Sequence, residues 1–317
     1  MKRQSHARIV VVAVLVVLGV GSKLLAQNKS AQDQWELAAK NPKLFLETMV
    51  KQFGWTEPAE PMKVVGPIYF VGTKGLSVWL LTTSQGHILL NTGMPSSGPM
   101  IEASIRKLGF KPEDIKFILT CHAHIDHVGG HAYLKKLSGA QVAMMDSGVD
   151  LLQSGGKNDF IYGAVPEFSF EPVKVDRVIR DGDTVRLGDV ILTAIHTPGH
   201  TQGSTTWVTS VIEGGKAYRV VFPDGSGVNP GYRLAKDPSY PGIGDDYRRT
   251  FHTLEMLKPD IWLSPHTVDC NFEGKRARAV SEGVKAWVDP EKYRKWVVSQ
   301  GETFEKVVDK EMSAPTD

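Results

Sequence analysis

Residues 121–127 read Cys-His-Ala-His-Ile-Asp-His, so three histidines and one carboxylate fall within six positions. Extended backbone sends alternate side chains to one side. In that geometry His122, His124 and Asp126 converge, and His127 approaches from the other side. Imidazole nitrogens with one carboxylate suit zinc, and a metal left with an open position can catalyse. Four such residues begin two adjacent metal sites without completing them. His200 sits in the Pro-Gly turn Thr197-Pro198-Gly199-His200-Thr201, just after a strand-like run at 190–195. His266 follows the strand-like run 260–263, in Leu263-Ser264-Pro265-His266. Loops at strand ends are where sites are usually built. The six residues divide into two trios: His122, His124 and His200 for one zinc, and Asp126, His127 and His266 for a second. Two metals about 3.5–4 Å apart share a bridging water and bring its pKa near 7. His6, His87 and His252 read as ordinary surface or core histidines. His131 and His196 lie near the ligands but outside their spacing, where the available role is hydrogen-bonding support.

The elements that must position these residues can be read from pattern and punctuation. Residues 28–53 look helical with a break at Asn41-Pro42, and a Pro-rich connector follows at 57–67. Strand-like runs at 68–71, 76–83 and 87–90 are punctuated by glycine turns. A helix is expected at 99–108, ended by Gly109. The strand 115–120 feeds straight into the metal run. A helix at 128–137 and a strand at 141–145 come next. The Gly-rich stretch 153–166 reads either as a flap over the site or as a surface connection. In the second half, strands are expected at 185–187, 190–195, 205–210 and 218–222, and helices at 245–257, 275–288 and 290–310. Both halves run strands first and helices after, which predicts two packed sheets with helices outside them.

The first residues stand apart from the fold. A basic start, an apolar run at 9–20 and the small residue Ala26 form the pattern of a secretory signal peptide over 1–26. An uncleaved anchor is the alternative, although the run is short for a membrane span. Cleavage would leave 291 residues and remove four basic side chains, taking the net charge from +2 to −2. That balance lacks the basic footprint of a nucleic-acid binder. The basic cluster at 274–278 reads as a solvated helix face. The only cysteines, Cys121 and Cys270, both neighbour metal ligands. An exported protein could bridge them, but two free, buried thiols are the preferred reading. Alternation turns Cys121 away from His122, which argues against it as a ligand.

At this point the chain resembles the metallo-β-lactamase superfamily, and within it the third subclass of the class B β-lactamases. The resemblance covers roughly residues 55–311. Besides the metal run it includes Gly66-Pro67-Ile68-Tyr69-Phe70-Val71-Gly72, Asp181-Gly182-Asp183-Thr184 and the His200 turn. Thr205-Thr206-Trp207, Asn229-Pro230-Gly231-Tyr232 and Tyr240-Pro241-Gly242-Ile243 are more specific to the subclass. The resemblance implies an α/β (α+β) fold: a single-domain, four-layer αββα sandwich over 61–312, behind an N-terminal helical extension at 27–60. It implies two zinc ions on the two trios above. The implied reaction is hydrolysis of the β-lactam amide of penicillins, cephalosporins and carbapenems by zinc-held hydroxide, with Asp126 orienting that hydroxide and no serine nucleophile. The substrate implied is a small molecule. The leader pattern points to a periplasmic or secreted protein with no membrane after signal cleavage, and the charge argues against nucleic acid. The sequence is silent on oligomeric state, a monomer being the default.

Three departures from the family pattern stand out. Asn91 replaces an Asp that supports the metal loop. Gly225 and Gly227 stand where the subclass has two serines that help hold the substrate carboxylate. That leaves Ser226, Asn229 and Tyr232 as the candidate substrate contacts. Asp224 lies one residue before the place of a bridging carboxylate in other superfamily members. Its presence on the metals would favour the alternative function, hydrolysis of a thioester, lactone or ester on the same fold. A non-catalytic metal-binding protein is the third reading, and a full ligand set with an open position argues against it.

Overall fold

The structure is a computed structural model that describes residues 36–314. The signal-peptide reading of residues 1–26 lies outside the described residues. Residues 36–40 are helical, Asn41 breaks the helix, and α1 runs Pro42–Phe53. Pro42 begins α1 because its fixed φ and missing N–H suit the first helical position. Asn41 Oδ1 accepts from the Leu44 N–H at 3.1 Å, and Gly54 closes the helix in the left-handed conformation.

Two sheets follow. The first has seven strands in sequence order: β1 (Met62–Val65), β2 (Ile68–Phe70), β3 (Trp79–Thr83), β4 (Gly86–Leu90), β5 (Ile115–Leu119), β6 (Gln141–Met145) and β7 (Arg177–Ile179). Strands β1 to β4 pair antiparallel and β4 to β7 pair parallel. The crossovers between the parallel strands carry α2 (Ser97–Lys107), α3 (Ile125–Val128), α4 (His131–Ser138) and α5 (Val149–Gln153). The second sheet is ordered β12-β11-β10-β9-β8, from β8 (Thr184–Leu187), β9 (Val190–His196), β10 (Thr205–Glu213), β11 (Lys216–Phe222) and β12 (Ile261–Trp262).

Strand β4 shows how the layers are fixed. Ile88, Leu89 and Leu90 are all fully buried. Alternation sends Ile88 and Leu90 into the core between the sheets, with Trp79, Leu192, Trp207 and Phe222. Leu89 faces the other way, with Ile101, Ile105 and Leu134 of the helices. A strand apolar on both faces belongs in the middle of a layered fold. Beyond the second sheet, α6 (Ile243–Leu257), α7 (Phe272–Glu282) and α8 (Pro290–Ser313) complete an αββα sandwich.

The structure corrects several expectations. Strand β1 lies inside the stretch read as a Pro-rich connector, where Lys63-Val64-Val65 is bracketed by Pro61 and Pro67. Strand β7 is three residues long and has no alternation to detect. The helix expected at 275–288 is α7 followed by a 3₁₀ segment, Gly283–Trp287, because Gly283 adopts φ +57° and ends the α-helix. The basic cluster at 274–278 is not wholly solvated. Lys275 is fully buried, its Nζ 3.0 Å from Asp289 Oδ1 and 5.0 Å from the centre of the Trp262 ring. It lies on the turn that follows the buried Phe272, so it faces inward. Among the described residues no helix is long and apolar enough to cross a membrane.

Cys121 and Cys270 are free and buried, as expected. Burial pushes both thiols up, Cys270 to about 11. Reactivity belongs to the thiolate. A thiol reagent at neutral pH should therefore label neither cysteine in the native protein and both after denaturation. Rapid native labelling would contradict this packing.

Candidate metal centre

The site is built at the C-terminal ends of β5, β9, β11 and β12, where four loops converge. The loop after β5 is held at its start, at Thr120 and Cys121. Asn91 Oδ1 accepts from the Cys121 N–H at 2.9 Å, the Trp207 indole donates to Thr120 O at 3.0 Å, and Thr205 N–H donates to Cys121 O at 2.7 Å. Asn91 sits at φ +64°, a conformation asparagine tolerates better than most residues. It therefore still supports the metal loop without the charge of an aspartate.

The expected alternation holds only to His124, which is extended at φ −92°, ψ 155°. The chain then turns into a short helix, α3 (Ile125–Val128). Asp126 and His127 are thus neighbours on one helical turn, not opposite faces of a strand. Close packing makes the turn possible. A Cβ on Gly129 would lie 2.3 Å from Pro95 N, so only glycine lets α3 press on the loop before α2. There Thr92 N–H donates to His127 O at 2.8 Å.

Each histidine of the first trio has one ring nitrogen engaged and one turned inward. His122 Nδ1 lies 3.0 and 3.1 Å from the two oxygens of Asp224. His124 Nε2 lies 3.0 Å from Asp159 Oδ2, and His200 Nδ1 donates to Gly227 O at 2.7 Å. On the inner side, His124 Nδ1 and His200 Nε2 are 3.1 Å apart, and His122 Nε2 is buried with no hydrogen-bond partner. Ligand atoms of His122, His124 and His200 lie within 4.8 Å of one another, and so do those of His122, Asp126 and His127. His266 stands at the edge of the second group, its Nε2 3.5 Å from Asp126 Oδ2. The partnerless buried Nε2 of His122, and His127 Nε2 facing the Asp126 carboxylate at 3.0 Å, among converging donors, fit metal ions.

The electrostatics agree. Burial, helped by the surrounding histidines, holds the His122 imidazole well below its usual pKa. Burial takes His200 down to about 3. Burial opposes ionisation of Asp126, but His127 and His266 outweigh it and keep the carboxyl below the usual carboxylate range. Neutral imidazoles and an ionised carboxylate are the forms that bind metal. At His127 burial is overcome by the Asp126 carboxylate, which raises the imidazole pKa, so a metal there must displace a proton.

The groove beside these residues is walled by Phe45 and Met49 of α1, by Trp55, and by the loop after β11. The Trp55 and His266 rings are 5.4 Å apart. Ser226 and Asn229 line the groove. Tyr232 does not; its hydroxyl donates to His200 O at 2.7 Å, so it braces a histidine instead of facing a substrate. Asp224 sits behind His122, outside the converging ligand atoms. His131 is buried and hydrogen-bonded to Thr92 Oγ1 at 2.7 Å, one step from His127 O. His196 bonds Gln202 O at 2.8 Å, away from the site. The sequence reading missed Asp159 because it lies in the Gly-rich stretch, with no spacing to connect it to a histidine.

A buried histidine–carboxylate cluster at the strand ends of an αββα sandwich defines a metal-binding hydrolase fold. The sequence pattern of the metallo-beta-lactamase superfamily matches residues 72–209. Three solved structures are similar over nearly their whole length. The FEZ-1 metallo-beta-lactamase of Legionella gormanii is 37% identical with a TM-score of 0.80, covering 81% of this chain and 98% of that one. BJP-1, a subclass B3 metallo-beta-lactamase of Bradyrhizobium japonicum, is 39% identical with a TM-score of 0.79, covering 83% and 98%. The class B3 di-zinc enzyme LRA-12 from an Alaskan soil metagenome is 33% identical with a TM-score of 0.73, covering 80% and 95%. Curated relatives include an N-acyl homoserine lactonase of a Bacillus species, 27% identical over 40% of this chain, and a hydroxyacylglutathione hydrolase of Rhizobium etli, 34% identical over 40%. The chain spans 56% and 44% of those two. It spans 37% of a Burkholderia pseudomallei protein described as a probable metallo-hydrolase. The chain belongs to the metallo-β-lactamase superfamily, and its resemblance to the third subclass is shared with solved members of that subclass.

Proposed function

We propose that this protein is an exported di-zinc β-lactamase that opens penicillins, cephalosporins and carbapenems and so confers antibiotic resistance. His122, His124 and His200 would hold one zinc, and Asp126, His127 and His266 the other. Bound zinc supplies an acidified water as nucleophile and polarises the substrate carbonyl.

The protein's own groups do the rest. Asp126 is ionised and buried between the two groups, where its carboxylate can accept a hydrogen bond from the attacking water and fix its direction. Asp224, Asp159 and Gly227 O hold the three imidazoles of the first trio. The apolar wall from α1 and Trp55 keeps bulk water from the reacting bond. Ser226 and Asn229 offer polar contacts to the substrate carboxylate.

One observation carries the choice of substrate. Asp224 places both oxygens on the far nitrogen of His122, so among the described residues it does not stand as a bridging carboxylate within the converging ligand atoms. That is the feature expected to separate the β-lactamase reading from hydrolysis of a lactone or thioester. The near-complete match to solved β-lactamases supports the same reading. The partial match to a lactonase and a hydroxyacylglutathione hydrolase keeps ester and thioester hydrolysis as the alternative. Export rests on the leader pattern at 1–26, and a small-molecule substrate fits the balanced charge.

Purified protein should open one penicillin, one cephalosporin and one carbapenem, because attack depends on the shared amide more than on its substituents. A chelator should abolish turnover, and serine-directed covalent inhibitors should leave it unchanged. Turnover of an acyl homoserine lactone or a glutathione thioester far above that of every β-lactam would overturn the proposal in favour of the alternative.

A further inference from the structure

Asp159 makes two kinds of contact with one buried carboxylate. Its side chain is 2% exposed. Oδ1 accepts from the N–H groups of Ile161 at 2.8 Å and Tyr162 at 2.6 Å. Oδ2 lies 3.0 Å from His124 Nε2. The first set is a local turn of the kind Asp often makes. That turn leaves Oδ2 unexplained, and Oδ2 meets a ring whose other nitrogen, Nδ1, faces His200 Nε2 across the metal-binding group.

A carboxylate accepts hydrogen bonds and cannot donate them. His124 must therefore carry a proton on Nε2, and in its neutral, metal-binding form it presents a lone pair at Nδ1. The same contact ties the Gly-rich stretch to the ligands. Phe160, the next residue, packs on Tyr232 and Tyr240 with ring centres 5.1 Å away in each case. Tyr162 stacks on Phe168 at 4.0 Å and meets the His124 ring edge-on at 5.8 Å.

We propose that Asp159 is a positioning residue that sets the His124 tautomer for metal binding and couples the turn at 159–162 to the metal centre. This rests on the assignment of His124 as a metal ligand. Coupling is reciprocal, so metal on His124 should steady the turn, and the turn should tighten metal binding.

Asp159→Asn is the informative variant. Two backbone N–H groups require an oxygen at the Oδ1 position, so the amide nitrogen falls at the Oδ2 position. There it donates, and His124 Nε2 must accept, which moves the ring proton onto Nδ1. Zinc affinity of the first site, measured by chelator competition, should fall about 10- to 100-fold. If Asp159 only capped the turn, Asn would bind zinc as well as the wild type does, and that result overturns the proposal. Nitrogen-15 spectra of the zinc-free proteins give a readout without metal. The wild type should show His124 protonated at Nε2, and the variant at Nδ1. Hydrogen exchange at Ile161 and Tyr162 should slow on zinc addition in the wild type and respond less in the variant. Should the variant fail to fold, a neutral His124 in the wild-type spectrum protonated at Nδ1 and not at Nε2 would still refute the idea. Zinc content of the wild type separately tests the ligand assignment, so the two failures are distinguishable.

Discussion

His122→Ala should leave a folded protein without hydrolytic activity. His122 is the histidine common to both groups of converging ligand atoms, and its inner nitrogen has no other partner. Removing it takes a ligand from the first site and disturbs the entrance to the second. The lost metal assistance is worth several kcal/mol at the transition state, on the order of a 10³-fold fall in kcat/KM or more. The variant also leaves Asp224 buried without the imidazole it faces, a cost of about 1–3 kcal/mol that a domain of this size can absorb. Elemental analysis should give close to two zincs per chain in the wild type and about one or fewer in the variant. Chelation should inactivate the wild type reversibly, whereas added zinc should not rescue the variant. A wild type holding one zinc or none at saturating metal would sink the two-metal mechanism. A variant retaining more than about a tenth of wild-type kcat/KM would remove His122 from it.

The candidate ligands were legible because their chemistry is local. His122, His124, Asp126 and His127 lie within one short run, and His200 and His266 each follow a readable strand. Of their supports only Asn91 was legible, through the family resemblance; Asp224 was legible only as a candidate bridging carboxylate, and Asp159 not at all. Asp224 and Asp159 each engage a histidine far away in sequence, and no spacing rule connects such residues. The long strands could be read because apolar runs such as Ile88-Leu89-Leu90 are continuous. Short strands β1 and β7 could not, because proline context and three-residue length erase the pattern. The strand-like account of 121–127 failed at His124, where tertiary packing of Gly129 on Pro95 imposes a helical turn. Lys275 shows the same limit. Its charge suggested solvent, and its place on the turn after Phe272 decided otherwise.

The two glycines in the loop after β11 should respond in opposite ways to serine. Gly225 adopts φ +89°, and a Cβ there would lie 1.9 Å from Thr197 O. Left-handed backbone costs a side-chain-bearing residue about 1–2 kcal/mol, and overpacking adds about 1–3 kcal/mol. Gly225→Ser should therefore lower Tm by on the order of 10 °C. It should also weaken zinc binding, because Gly225 O accepts from the His200 N–H at 3.3 Å. Gly227 is different. It carries no positive φ, and an added Cβ meets nothing nearer than His200 Nδ1 at 3.5 Å, an ordinary contact. It also lines the groove. Gly227→Ser should fold normally and present a hydroxyl where a substrate carboxylate can reach it. A hydrogen bond to that charge is worth about 1.5 kcal/mol, roughly a tenfold fall in KM with kcat little changed. The competing account is that Ser226 already holds the carboxylate. Then Gly227→Ser changes little and Ser226→Ala raises KM. Both variants measured on one cephalosporin separate these accounts, and if neither moves KM, this loop does not bind the carboxylate at all. A Gly225→Ser protein with wild-type Tm and zinc content would show that the tight approach to Thr197 is not what makes glycine necessary there.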